Sequence, residues 1–132
     1  MIILDTSAVR ALADGHKTLN LLAGNMARTP GDRLNVPALC LMQAEAGDED
    51  LSRRVLAFSS VVVDTLDTVA SVTVGTMIRD GYGGADTCHA LYCALPRPEF
   101  TGMSILLTGD ENAYPPGVVT VDMDSPGMLG FY

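Results

Sequence analysis

Basic residues are scarce in this chain of 132 residues: 8 Lys plus Arg stand against 16 Asp plus Glu, a formal charge of −8 at pH 7. Proteins that grip nucleic acid by bulk electrostatics neutralise its phosphates with Lys and Arg. The charge balance speaks against that class and against a polybasic membrane-surface module. Cysteine is scarce too. Cys40, Cys88 and Cys93 are odd in number and form no Cys-x-x-Cys pair, which fits a reduced, cytoplasmic protein better than a disulfide framework. Only His16 and His89 could join them, and no zinc-like spacing results. No apolar run reaches the ~20 residues of a membrane helix. A charge at Asp5 with no basic start does not read as a secretory leader.

What is present is apolar. Hydrophobic residues make up 48%, enough for a core, and the length fits one domain over 1–132. Short apolar or β-branched runs at 2–4, 61–63 and 104–107 read as buried strands, with further strands at 33–36 and 118–121. Helices are expected over 6–13, 17–26, 37–47 (with Pro37 at the first helical position), 49–58, 68–79 and 85–95. Asp67 is a candidate cap, Gly81 a stop, and Pro96-Arg97-Pro98 a terminator. Residues 124–132 read as a loose tail. Strands alternating with helices predict an α/β fold, a three-layer α/β/α sandwich on a short, mainly parallel central sheet. The mutual direction of the last two strands stays open.

Most acids fall where acids usually do. Asp48, Glu49 and Asp50 gather at a helix start, and Asp32, Asp64, Asp67, Asp80, Glu99, Asp122 and Asp124 sit in turns or at element ends. Asp5 and Asp110 differ, because each follows an apolar strand. Ligands of open α/β sheets bind outside the carboxyl ends of strands, although either residue could equally be a cap or turn residue. Glu45 comes four residues after Leu41 and three after Met42, which places it on their helical face. A carboxylate on an apolar stripe is costly unless paired or metal-bound, unless it sits at a helix end and reaches water. Asp86 opens a helix whose face continues through small residues, Ala90 and Cys93; its ordinary role would be an N-cap, worth roughly 1 kcal/mol. Together, these four carboxylates from four elements could share one sheet edge. Clustered carboxylates persist around a cation such as Mg²⁺ or Mn²⁺, which predicts metal-dependent phosphodiester hydrolysis.

Four stretches in order resemble the PIN-domain family, most of all its compact VapC-type toxin branch. They are Leu4-Asp5-Thr6-Ser7-Ala8, Val36-Pro37-Ala38 through Ala44-Glu45, Gly84-Ala85-Asp86-Thr87-Cys88-His89-Ala90 and Leu106-Leu107-Thr108-Gly109-Asp110. The resemblance implies a PIN-like fold and a metal-dependent endoribonuclease. Asp5, Glu45, Asp86 and Asp110 would fall on the family's acidic cluster around Mg²⁺ or Mn²⁺, with Thr6 or Ser7 as a supporting hydroxyl. It also implies a homodimer and a small antitoxin protein as partner.

The sequence departs from that family at Ala113, where many relatives carry a further acid; Glu111 and Asn112 are its neighbours. The segment 47–61 is short, so a helical clip found in some relatives would be reduced. Arg10, Lys17 and Arg79 are candidate RNA-phosphate contacts, each with surface charge as its ordinary reading. His89 reads as a packed residue or a support for Asp86, and Cys88 and Cys93 as core fillers. A haloacid-dehalogenase-like phosphatase would need a second Asp where Ser7 stands, and a receiver domain an acidic pair where Thr6 and Ser7 stand. The rival from another class is a catalytically impaired PIN-like binding or dimerisation module, to which Ala113 and the few basic residues point.

Overall fold

The structure, a computed structural model, describes residues 1–96 and 102–131. Arg97 and Pro98 of the expected terminator, Glu99 and Tyr132 lie outside the described residues. Along the chain run β1 (Ile2–Leu4), α1 (Thr6–Ala13), α2 (Lys17–Ala27), β2 (Leu34–Pro37), α3 (Ala38–Gly47), α4 (Leu51–Leu56) and β3 (Val61–Asp64). There follow α5 (Thr68–Arg79), α6 (Ala85–Ala94), β4 (Ile105–Thr108), a 3₁₀ turn (Glu111–Ala113), β5 (Thr120–Asp122) and a second 3₁₀ segment (Pro126–Phe131).

The strands form one sheet in the order β3-β2-β1-β4-β5. Every pairing is parallel, with Leu4 opposite Leu107 and Leu107 opposite Val121. The direction left open for the last two strands is therefore parallel. Side chains alternate across a strand, so neighbours in sequence feed opposite layers. Leu4 and Leu107 join Val9, Leu12, Leu22 and Val55 in one core, while Ile3 and Leu106 pack with Cys40, Ala90 and Cys93 in the other. Two apolar layers around one sheet make the expected α/β/α sandwich.

Several expectations shift by a residue or two. Pro37 ends β2 and stands at the cap of α3, one place before the helix proper, and α4 is shorter than 49–58. Asp67 caps α5, its Oδ1 accepting the Ala70 N–H at 2.8 Å. The helix stops at Gly81, whose φ of +87° is open to glycine at little cost. The segment read as a loose tail carries the second 3₁₀ segment, and Met128 is buried in the larger core. Six residues were too few to show a helical or strand period there.

The order of the strands matters for function. The chain leaves β1 toward β2 and β3 on one side, then crosses to β4 and β5 on the other. The carboxyl ends of β1 and β4 thus flank the point where strand order reverses, and side chains there look into a crevice between diverging connections. Asp5 follows β1 directly and Asp110 follows β4 by two residues.

Candidate active site

A cavity of about 420 Å³ opens at that point, lined by Asp5, Thr6, Ser7, Arg10, Gln43, Gly84, Ala85, Asp86, Thr87, Asp110, Ala113 and Tyr114. Three of the four singled-out carboxylates are on its wall.

Asp5 is nearly buried, with 6% of its surface exposed, and both of its oxygens are held. Oδ1 accepts the Ser7 hydroxyl at 2.6 Å and the Ala8 N–H at 3.1 Å, which makes Asp5 the N-cap of α1. Oδ2 accepts the Tyr114 hydroxyl at 2.7 Å. The cap and cavity roles therefore coexist, one oxygen serving each. Ser7 also accepts the Gly109 N–H at 2.8 Å, tying the β1 and β4 ends together. A Cβ at Gly109 would stand 3.4 Å from Ser7 Oγ and 3.0 Å from the Met123 methyl, a tight fit that glycine avoids.

Asp86 lies inside the first turn of α6, whose cap is Gly84, so the N-cap alternative does not hold. Its Oδ2 accepts the Thr6 hydroxyl at 2.6 Å. Thr6 and Ser7 thus each orient one carboxylate. Asp110 is exposed; its N–H donates to Thr108 Oγ1 at 2.9 Å, and its carboxylate has no donor on it among the described residues.

The surrounding groups are neutral donors. Burial, with the nearby Asp5 and Asp86 charges adding, pushes the Cys40 thiol up to about 12; it stays protonated and donates to the Asp86 carbonyl oxygen. Burial, and then the charge of Asp5, raise the Tyr114 phenol far above its ordinary value, so it remains a donor to Asp5. Burial, with Asp86 beside it, also raises Cys88. His89 is fully buried, and its Nδ1 accepts the Leu39 N–H at 3.2 Å. It is a packed residue that fixes the start of α3 rather than a wall of the cavity.

Glu45 does not line the cavity. Its Oε1 accepts the Ser52 N–H at 2.9 Å and its Oε2 the Asp50 N–H at 3.1 Å, so it satisfies orphan donors at the start of α4. Glu45 does share a face with half-buried Leu41, but the α3 residue on the cavity wall is Gln43. The buried side runs through Cys40 and Ala44, whereas Met42 is 54% exposed. Hydrogen bonds to the charged form, that from Ser52 first, lower the Glu45 pKa below its ordinary 4.5. A depressed carboxyl adds stability above its unfolded pKa and loses it as pH falls through the folded one. Glu45→Gln is therefore expected to lower the urea midpoint near neutral pH. The gap from wild type should close as pH falls below 4.5; a gap of constant size would show that the Glu45 charge contributes nothing.

Among the candidate phosphate contacts, Arg10 lines the cavity, with Nη2 donating to the Gln43 carbonyl at 3.4 Å. Lys17 lines a separate groove with His16 and Asp124, and Arg79 lies at the exposed end of α5. Gln43 and Tyr114 were not legible as site residues. Gln43 sits in an apolar helix without orienting periodicity, and Tyr114 precedes Pro115-Pro116, which reads simply as a turn.

Among the described residues no group of three or more His, Cys, Asp or Glu side chains is placed to hold a metal ion. The cavity nevertheless suits a hard cation. Mg²⁺ takes oxygen ligands, retains several waters and needs only one or two carboxylates. Asp86 Oδ1 and the Asp110 carboxylate carry no protein donor among the described residues, and Asp5 keeps spare lone pairs.

No family model matches the sequence, and a search of curated proteins finds no relative. Among solved structures, the chain is similar to one in the DNA-bound VapBC of Salmonella typhimurium. The TM-score is 0.58 at 19% identity, covering 92% of this chain and 97% of that chain. At this identity the likeness establishes the fold, and it is the PIN-like fold that the four sequence stretches imply. Among the described residues no helix is long and apolar enough to cross a membrane.

Proposed function

We propose that this protein is a Mg²⁺- or Mn²⁺-dependent endoribonuclease and the toxin of a type II toxin–antitoxin pair. One observation carries the reading: Asp5, Asp86 and Asp110, from three separate elements, line one cavity at the switch point of a PIN-like sheet. Asp86 and Asp110 would hold the cation, with Asp5 beside them. The ion supplies positive charge against a scissile phosphate and acidifies water for attack. The chain's own residues do the positioning. Thr6 fixes Asp86, while Ser7, Ala8 and Tyr114 fix Asp5. Arg10 gives the cavity a fixed cation for RNA phosphate. A small antitoxin protein, a homodimeric state and a cytoplasmic location belong to the same reading. The last accords with three buried free thiols. Val69 and Val72, 65% and 67% exposed on α5, give apolar surface of the kind interfaces use.

A second reading, a PIN-like module impaired in catalysis, is favoured by Glu45 lying outside the cavity and Ala113 on its wall. RNA cleavage separates the two. The purified chain, free of antitoxin, is expected to cut RNA with Mn²⁺ or Mg²⁺ and to stop when the ion is chelated. No cleavage with either ion would leave the binding module as the reading.

A further inference from the structure

Gln43 is the α3 residue on the wall of the acidic cavity, and Glu45 is not. At ~3.6 residues per turn, positions two apart point about 200° around the helix from one another, so they face opposite ways. Glu45 is also committed, with one main-chain N–H on each oxygen. The acid in this part of the chain is thereby spent on joining α3 to α4, and an amide stands where a fourth carboxylate would complete the cavity.

We infer that Gln43 is the residue that sets the cation affinity of this cavity, and that its neutral amide holds the site to three carboxylates and weak binding. The inference rests on reading the cavity as a divalent-cation site. Affinity of oxygen-ligand sites follows the number of ligand charges. An amide oxygen can ligate but adds no charge, and its nitrogen is a donor that repels a cation. Arg10, which donates to the Gln43 main-chain carbonyl at 3.4 Å, adds positive charge at the same wall. Weak resident binding leaves the ion to be recruited together with an anionic substrate, whose phosphate oxygens supply what the wall lacks.

Mn²⁺ titration followed by the spectrum of the free ion tests this on the full chain. Gln43→Glu is expected to bind Mn²⁺ at least about tenfold more tightly than wild type, since one added unit charge near a divalent ion outweighs that even with solvent screening. Glu45→Gln is expected to bind as wild type does. An unchanged affinity in Gln43→Glu overturns the inference, and so does lost binding in Glu45→Gln. If Gln43→Glu binds Mn²⁺ and wild type shows none at millimolar ion, the inference stands, and RNA cleavage by wild type with Mn²⁺ decides the nuclease reading separately.

Discussion

Asp86→Asn is expected to lower Mn²⁺-dependent RNA cleavage at least about a hundredfold, because even an outer partner of a metal ligand is commonly worth roughly 10–100-fold. The substitution is nearly isosteric and keeps one oxygen for the Thr6 hydroxyl, now 2.6 Å from Oδ2. It removes the charge and puts an amide nitrogen in place of the free Oδ1. Asp86 does not cap its helix, so the fold loses no cap. Asp5→Asn is a less clean variant. Asn also serves as an N-cap, but its amide nitrogen would meet the Ser7 or Tyr114 hydroxyl, both of which now donate to Asp5. Cleavage rates and melting temperatures measured side by side separate the two roles. Asp86→Asn should lose rate without losing stability, and a variant that cuts RNA as well as wild type would remove Asp86 from the site.

Met128→Ala is expected to cost roughly 2–5 kcal/mol, the usual range for truncating a buried methionine. Met128 is 1% exposed and packs in the core that also holds Leu4, Leu12 and Leu107. Its N–H donates to the Ser125 carbonyl at 3.1 Å. Among the described side chains of this segment, Met128 is the buried one. Urea unfolding of the variant reads the loss directly. A change under about 0.5 kcal/mol, as for an ordinary surface position, would mean that the segment does not contribute to the core.

The sheet was largely legible in the sequence, since its strands are short apolar runs punctuated by turn residues. Asp67 and Gly81 marked the ends of α5 through cap chemistry that is local in sequence. Asp5, Asp86 and Asp110 were legible because the ends of parallel strands and helices are fixed by topology, and the motif order placed them at one edge. Glu45 and Gln43 were not. In a helix with polar residues on one side only, periodicity would have shown which faced the cavity; α3 is apolar nearly throughout. Tyr114 meets Asp5 across 109 positions, a contact that no local pattern encodes. The docking of Met128 is likewise a tertiary contact that no local pattern encodes.

The proposed function puts a divalent cation among Asp5, Asp86 and Asp110. A crystal structure of the chain with Mn²⁺, read through the anomalous signal of the ion, tests it most directly. A peak is expected in the cavity, with Asp86 and Asp110 oxygens as ligands and Glu45 still bonded to the Ser52 and Asp50 N–H groups. A cavity without manganese, or an ion held by Glu45 with the nearby Asp48 and Asp50 instead, would contradict it.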